Sequence, residues 1–380
     1  GLLAMSWRVG RFQRSSRDYY LGGYRMGVGA LALSTMATQC STNSLLGAPA
    51  FVIAVGGLLW LQYELAVPLA MIGVMALLLP FFRRLRLISV YEYLGLRFGP
   101  RTRTELSGLF QVLRAFSTGV TVYGISLVIE TLLGIPFWGA VLLIGAVTVC
   151  YDVLGGMRAV VYSDVVQMAV LYAGIVVCLV FAVRHVGGWS AMWAAFPPDL
   201  ARTLEFRHTG LGDGRTYAFW PMLAGGLFLY MSYYGCDQTQ AQREISARTP
   251  EQTAATLFVG GLIRFPLVLT YCLVGVAIGA FLARHPEFRQ ALVLPGTDAP
   301  NYNLAVPMFT LRYLPHGIIG LVMAALFAAA MSSLDSTINS LSVATLRDLV
   351  EPCIARGAWS ARRQLRWSRG LTVFWGTACI

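Results

Sequence analysis

Residues 331–340, MSSLDSTINS, place a row of hydroxyls, a carboxylate and an amide directly after the apolar run HGIIGLVMAALFAAA. The polar residues recur three and four positions apart, which puts most of them on one stripe of a helix: Ser332, Ser333, Asp335, Ser336, Asn339 and Ser340. A carboxylate buried in a membrane is costly unless it is paired or coordinated. Hydroxyl and carbonyl oxygens with a single carboxylate suit a small monovalent cation better than calcium. The stripe therefore predicts a cation site, and the alternative is a set of hydrogen bonds across a helix interface.

Two further apolar segments are interrupted by small and polar residues, ATQCSTNS at 37–44 and SYYGCDQTQAQR at 232–243. Backbone at membrane depth can leave the helix only where it lines a cavity or packs against protein. Breaks in both segments would bring free carbonyls and helix ends to one central site. For the first run the alternative is close packing of helices on small residues. Tyr233 and Tyr234 either stack over a substrate or fill the core.

Ionisable residues in other apolar segments also need an interpretation. Asp164, at the start of a predicted helix, is a candidate proton relay or second-ion ligand. We expect Arg114 and Arg264 to extend their guanidinium groups toward the Arg-rich side of the membrane. Asp152 lies near a predicted helix end, where we expect it to be solvated. The seven cysteines have no paired spacing, and we find no nucleophile–base pair, so the sequence predicts neither a cysteine metal site nor an enzyme.

The composition determines the environment of these residues. Hydrophobic residues make up 57% of the 380-residue chain and charged residues 12%, about half the charged fraction of a soluble protein. Several apolar stretches exceed the roughly 20 residues that cross a bilayer as a helix. We therefore predict an all-α polytopic membrane protein with a short outer helix within 301–315. Its predicted helices 1 to 9 lie at 26–53, 56–82, 105–133, 136–153, 158–185, 217–240, 252–283, 315–346 and from 367 onward.

The order of the helices predicts an internal repeat. Five crossings precede a long connection and four follow it, so the second repeat is expected to be truncated. An odd number of helices per repeat requires the second copy to insert inverted, as in many secondary transporters with a site at the midplane. The expected segments are the end of an extra N-terminal helix, an Arg-rich cytoplasmic segment, the first repeat, an outer connection and the incomplete second repeat: 1–7, 8–25, 26–187, 188–216 and 217–380.

All 29 basic residues are arginine, and they alternate between rich and poor connections. The segments 8–25, 83–103 and 347–369 hold most of them, whereas 48–57 and 132–139 hold none. This pattern predicts that the Arg-rich connections face the cytoplasm. It indicates a multi-pass protein of the plasma membrane, surrounded by lipid. Because topology accounts for the net charge of +11, a nucleic-acid partner is not predicted.

Several motifs, in order, resemble those of the sodium:solute symporter family: SRDYYLGGYRMGVGALALSTMAT, ISVYEYLGLRFGPRTR, VLGGMRAVVYSDVVQ, YYGCDQTQAQREIS and ALFAAAMSSLDSTINSLSVATLRDL. The resemblance begins near Arg17 and runs to the end of the chain. It implies a LeuT-type fold of two inverted five-helix repeats, truncated here in the second. It also implies a sodium site between helices 1 and 8, formed by the backbone carbonyls of Ala37, Cys40 and Ala329 and the hydroxyls of Ser332 and Ser333.

Some members of the family hold a second sodium near helices 5 and 8, which corresponds here to Asp164, Ser332, Asp335 and Ser336. Asp335 stands where a hydroxyl is expected, so its carboxylate either binds sodium more tightly, accepts a proton or takes the place of an ion. The resemblance places the substrate cavity between the breaks of helices 1 and 6, with these lining residues: Gln39, Thr42, Asn43, Tyr123, Tyr233, Tyr234 and Gln238.

The sugar-transporting branch of the family is expected to have a histidine where this chain has Ser44. The segments SLLGAPAFV and SLSVATLRDLVEP resemble instead the branch that carries monocarboxylates, vitamins and inorganic anions. The function that the resemblance implies is sodium-coupled import of a small solute, with an anion favoured, sodium as the coupling ion and no organic cofactor. Two alternatives remain: a proton-coupled carrier that uses Asp335, and a symporter-like sensor module joined to a signalling domain.

Overall fold

The computed structural model describes residues 1–85, 87–214, 216–293, 299–354 and 359–380, which are predominantly helical. The helices of the first half are α1 (Leu2–Gly10), α2 (Ser16–Leu21), α3 (Val28–Gln39), α4 (Thr42–Ala54), α5 (Trp60–Glu64), α6 (Ala66–Gly73), α7 (Leu79–Leu85), α8 (Tyr91–Phe98), α9 (Pro100–Leu133) and α10 (Phe137–Val186). Those of the second half are α11 (Trp189–Ala195), α12 (Phe219–Gly235), α13 (Gln238–Ser246), α14 (Pro250–Arg284), α15 (Pro286–Gln290), α16 (Ala305–Tyr313), α17 (His316–Ala344), α18 (Glu351–Ile354) and α19 (Ala361–Ala378).

Five segments of the described residues are long and apolar enough to cross a membrane: Gly57–Leu78, Pro100–Thr131, Phe137–Val186, Pro250–Arg284 and His316–Val350. They correspond to predicted helices 2, 3, 7 and 8, with predicted helices 4 and 5 forming one run. Predicted helices 1 and 6 are absent from this set because each is divided into two shorter helices, α3 with α4 and α12 with α13. The prediction of an all-α, multi-pass membrane protein is confirmed.

The 50-residue run α10 is two helices that meet at Gly156, whose φ of 52° and ψ of −155° are not helical. Tyr151 and Ser163 lie on opposite sides of this residue and would be about 18 Å apart along a straight helix. Both nevertheless reach one carboxylate, that of Asp335, at 2.5 and 3.4 Å. The chain therefore folds back at Gly156. A Cβ atom there would lie 2.6 Å from the Tyr19 carbonyl oxygen, so the bend leaves no room for a side chain.

The two breaks lie inside the polar runs that predicted them. Helix α3 ends at Gln39, and the backbone is extended at Ser41 (φ −72°, ψ 170°) before α4 begins. Helix α12 ends at Gly235, and Asp237 caps α13 by accepting a hydrogen bond from the Thr239 amide at 2.8 Å. Short polar residues can satisfy backbone groups that a continuous helix would have bonded internally.

Helix α17 lies at the centre of the fold, where it packs against α10, α9 and α3. Its polar stripe faces this core, since Ser332, Asp335, Ser336 and Asn339 are all buried. Buried apolar residues of α3, α4, α10, α14 and α17 form the largest hydrophobic cluster around it. Polar side chains in such a position must find partners within the protein.

Candidate functional site

The break in helix 1 faces the hydroxyl stripe of α17. The Ser332 hydroxyl donates to the Ala37 carbonyl of α3 and to the Ala329 carbonyl of its own helix, both at 3.2 Å. The Ser333 hydroxyl donates to the same Ala329 carbonyl at 3.3 Å. These three hydrogen bonds connect four of the five predicted sodium ligands, and only the bond from Ser332 to Ala37 joins the two helices. The fifth, Cys40, lies three residues after Ala37 at the end of α3.

The atoms gathered here are the kind that a sodium ion needs. Carbonyl oxygens at the end of α3 lack the partners that a continuing helix would supply. A serine hydroxyl can also accept, because its oxygen has two lone pairs and its proton rotates. The five predicted ligands carry no formal charge, which favours a monovalent ion over calcium. A sodium ion at this position can join α3 to α17, because both helices supply oxygen ligands.

A buried arginine of α13, Arg243, occupies the region assigned to a second ion. Its side chain is 1% exposed, and its Nη2 atom lies 3.0 Å from the Asp164 carboxylate. The same nitrogen donates to the Ser336 hydroxyl at 2.5 Å, and Nε donates to the Ser34 hydroxyl at 2.7 Å. The Asp164 carboxylate also accepts from Ser34, at 2.5 Å. Asp164 and Ser336 are thus partners of an internal guanidinium, and the second sodium site that the resemblance implies for them stays a prediction.

Asp335, another member of that set, is fully buried and is bonded by hydroxyls. Tyr151 donates to its carboxylate at 2.5 Å, Ser336 at 3.0 Å and Ser163 at 3.4 Å. Asp152, which we expected to be solvated, is also fully buried, and Asn339 donates to it at 3.2 Å. The bend at Gly156 explains this burial, since it turns the end of the first α10 segment inward.

A cavity of about 570 Å³ opens between the two breaks. Of the predicted substrate residues, Gln39 and Tyr233 line it, as does Ser44. Aromatic side chains form much of the remaining wall: Phe51, Trp60, Tyr63, Tyr217 and Tyr230. Its size and aromatic lining are typical of small-molecule sites.

The cavity has one charged lining residue, Arg264 of α14. Its guanidinium binds both oxygens of Glu64, at 2.6 and 3.0 Å, and donates to the Tyr230 hydroxyl at 2.8 Å and to the Gln39 amide oxygen. The expectation that Arg264 extends to the membrane surface is therefore wrong. Arg114 likewise turns to a partner, lying 3.5 Å from the Asp237 carboxylate. Sequence position along one helix does not reveal a carboxylate on another helix.

The other predicted substrate residues lie outside this cavity. Tyr123 is 58% exposed and packs against Phe137, and its expected place beside the substrate stays a prediction. Thr42 and Tyr234 are buried, whereas Asn43 is exposed. Gln238 is also buried, and its side chain bonds the backbone. Its amide nitrogen donates to the Ile88 carbonyl at 3.0 Å, and its amide oxygen accepts from the Val90 N–H at 2.9 Å.

Gln238 lies beside a further set of buried contacts at the Arg-rich end of the bundle. Asp348, just after α17, is buried and accepts from Arg103 at 2.8 Å, from Ser89 at 2.7 Å and from Ser107 at 3.0 Å. These residues tie the end of α17 to α9 and to the segment before α8. Buried, charge-assisted bonds of this kind are stronger than neutral ones and stabilise this arrangement of the helices.

Comparison with known proteins gives concordant results. The model of the sodium:solute symporter family matches residues 19–377. The human sodium/iodide cotransporter is 29% identical over 97% of this chain and 56% of its own. Human sodium-coupled monocarboxylate transporter 1 is 30% identical over 100% of this chain and 62% of its own. The sodium-dependent multivitamin transporter of Oryctolagus cuniculus is 30% identical over 95% of this chain and 55% of its own. The chain thus spans only 55–62% of the length of these relatives.

One solved structure is similar over the whole chain. It is the substrate-bound, outward-open state of a Na⁺-coupled sialic acid symporter, which aligns with a TM-score of 0.88 and 24% identity over 100% of this chain and 78% of that one. This likeness confirms the predicted LeuT-type fold. The expectation that the second repeat is truncated stays a prediction.

Proposed function

Because this chain belongs to the sodium:solute symporter family, whose model matches residues 19–377, we propose that it is a sodium-coupled symporter. It imports a small organic solute or anion by alternating access, with sodium as the coupling ion and without an organic cofactor. The observation that carries this proposal is the hydrogen bond between α17 and the broken helix 1, from the Ser332 hydroxyl to the Ala37 carbonyl at 3.2 Å. The names of the relatives, which are sodium-coupled carriers, support it.

Sodium would be held by the carbonyls of Ala37, Cys40 and Ala329 and by the hydroxyls of Ser332 and Ser333. An ion held by both α3 and α17 stabilises the arrangement in which these helices are close. Substrate that favours the same arrangement then binds more tightly, and the effect is reciprocal. Separation of α17 from α3 loosens the ligands and releases the ion. The membrane potential adds about 2.3 kcal/mol per charge per 100 mV to the driving force.

We propose an anionic substrate because the cavity between the breaks presents a guanidinium within an aromatic wall. Arg264 can exchange part of its bond to Glu64 for a substrate carboxylate, since guanidinium groups bind carboxylates through two parallel hydrogen bonds. Gln39 and Tyr233 line the same cavity. The other residues of the proposed substrate set lie outside it: Thr42, Asn43, Tyr123, Tyr234 and Gln238. Iodide and monocarboxylates, named for two of the relatives, are anions of suitable size.

The orientation follows from the arginines. We propose a protein of the plasma membrane whose Arg-rich connections face the cytoplasm. The bonds of Asp348 to Arg103, Ser89 and Ser107 then close the cytoplasmic side. Release of substrate into the cell requires that these bonds open.

A proton-coupled carrier is the second candidate, and Asp335 is the observation that favours it. Its carboxylate is fully buried, and within the described part of the chain hydroxyls are its hydrogen-bond donors. A carboxylate in such surroundings can hold a proton at one stage of transport and release it at another.

Uptake into proteoliposomes distinguishes these candidates and tests the substrate class. With an inward sodium gradient we expect accumulation of a labelled substrate from a panel of iodide, lactate and biotin, and none with an equal potassium gradient. The amide of the accumulated carboxylate is the matched control, and we expect it not to compete. Accumulation driven by a pH gradient in the absence of sodium would contradict sodium coupling and support proton coupling. Equal competition by the amide would contradict an anionic substrate.

A further inference from the structure

A separate polar pocket of about 330 Å³ lies at the Arg-rich end, between α1, α2 and the bend at Gly156. Three arginines line it: Arg14, Arg25 and Arg158. We propose that this pocket binds the phosphate group of an anionic ligand at the membrane surface, and that a lipid headgroup supplies it. This inference does not depend on the transported substrate.

The balance of charge in the pocket favours an anion. Its one carboxylate, Asp18, is committed to the start of α2, where it accepts from the Ser15 amide at 3.1 Å, the Ser15 hydroxyl at 2.9 Å and the Arg14 amide at 3.2 Å. Within the described residues, the ion pairs of 4.0 Å or less include none made by the three lining arginines. Three arginines without an ion pair among the described residues therefore line a space whose lining carboxylate, Asp18, is already bonded.

Arg158 is held in place for this role. Its stem lies against Gly22, where an added Cβ atom would come within 2.8 Å of the Arg158 Cγ atom. Gly22 has a φ of 58°, a conformation that glycine adopts without strain. The buried Nε atom of Arg158 has no hydrogen-bond partner among the described residues. A buried N–H without a partner is unfavourable, and an oxygen of a bound anion would satisfy it.

The shape and surroundings of the pocket favour a phosphate on a lipid. Arginine binds phosphate through its planar set of donors. Phe12 forms part of the wall and is 70% exposed, and Trp7, on the preceding turn of the chain, is 56% exposed. Exposed aromatic rings are typical of the membrane–water interface. Basic pockets between helices on the cytoplasmic side are suited to anionic headgroups.

A ligand here would connect two parts of the fold. Gln13, which also lines the pocket, donates to the Gly155 carbonyl at 2.6 Å, so the N-terminal segment already contacts the bend. Arg158 lies two residues beyond Gly156. A phosphate held by Arg14, Arg25 and Arg158 would add a second connection across the same gap and stabilise the bent arrangement.

The experiment compares the protein in nanodiscs of phosphatidylcholine alone with nanodiscs of an equal mixture of phosphatidylcholine and phosphatidylglycerol. We expect the mixed lipid to raise the thermal midpoint of the wild type and phosphatidylglycerol to be retained in native mass spectra. Arg158→Gln and Arg25→Gln should each weaken retention by about fivefold. The matched control is Arg101→Gln, which removes an exposed charge near the start of α9, outside the pocket, and should leave retention unchanged.

A parallel titration with inorganic phosphate in phosphatidylcholine nanodiscs separates the two sources of the group. If inorganic phosphate alone raises the midpoint and Arg158→Gln abolishes the rise, the pocket is a phosphate site with a soluble ligand. Equal retention of phosphatidylglycerol by the wild type, both pocket variants and Arg101→Gln, without a phosphate effect, would overturn the proposal. Because Arg25 is exposed, its variant reports on binding even if Arg158→Gln folds poorly.

Discussion

Replacing Arg243 by glutamine is expected to lower the free energy of unfolding by about 3–5 kcal/mol, because the change leaves the buried Asp164 carboxylate without its cation. The guanidinium connects α13 to three other helices through Asp164, Ser336 and Ser34. Glutamine can keep at most part of these bonds and none of the charge. Unfolding of the purified protein in detergent, followed by circular dichroism during a denaturant titration, measures the loss.

The double variant Arg243→Gln/Asp164→Asn tests the physical cause. It removes both charges, so we expect it to be more stable than the Arg243→Gln single variant. Arg202→Gln is the matched control, since Arg202 is half exposed and lies 3.7–3.8 Å from two carboxylates. An exposed pair of this kind contributes about 0–1 kcal/mol. A double variant less stable than the single one would show that uncompensated charge is not the cause.

Replacing Glu64 by glutamine is expected to lower the free energy of unfolding by a comparable amount, about 3–5 kcal/mol, because it removes the carboxylate of a buried pair rather than the cation. The Arg264 side chain is 11% exposed and that of Glu64 2%, so the change leaves a nearly buried guanidinium without its carboxylate. The site differs from that of Arg243 because Arg264 also lines the cavity between the breaks. A small carboxylate can enter the cavity and bind the freed guanidinium.

Thermal unfolding with and without lactate measures both consequences. Lactate should raise the midpoint of Glu64→Gln more than that of the wild type, because a ligand that binds only the folded state stabilises it. The control is the double variant Glu64→Gln/Arg264→Gln, which should regain stability and lose the response to lactate. If lactate stabilises the single and double variants equally, Arg264 does not bind the anion.

The large features of the fold could be predicted from sequence because bilayer physics leaves few alternatives. Apolar runs of sufficient length become helices, and the polar runs at 37–44 and 232–243 could interrupt them only where protein surrounds the break. The structure places those breaks at Cys40–Ser41 and Cys236–Asp237. The contact of Ala37 with Ser332 was implied by the family resemblance, since nothing local connects residues 295 positions apart.

The partners of the charged residues could not be predicted in this way. Arg243 lay within a quoted polar run, but its partner Asp164 is 79 positions away and belongs to another helix. The same holds for Arg264 and Glu64, 200 positions apart. A lone arginine within an apolar segment is equally consistent with a side chain that reaches the membrane surface and with a buried pair. Gln238 was predicted to bind substrate, but its side-chain amide bonds the backbone carbonyl of Ile88 and the backbone N–H of Val90. A sequence pattern does not reveal which backbone groups need such a partner.

The central claim is that sodium binds between α3 and α17, and thermal unfolding in sodium, compared with equal potassium or choline, tests it most directly. At about 100 times its dissociation constant, sodium should stabilise the wild type by about 2.7 kcal/mol. Ser333→Ala should lose this response, whereas Ser342→Ala should keep it, because its hydroxyl bonds the Ile338 carbonyl of the same helix at 2.7 Å, more than two turns from Ser333. A sodium response that is absent from the wild type, or that survives in Ser333→Ala, would contradict the account.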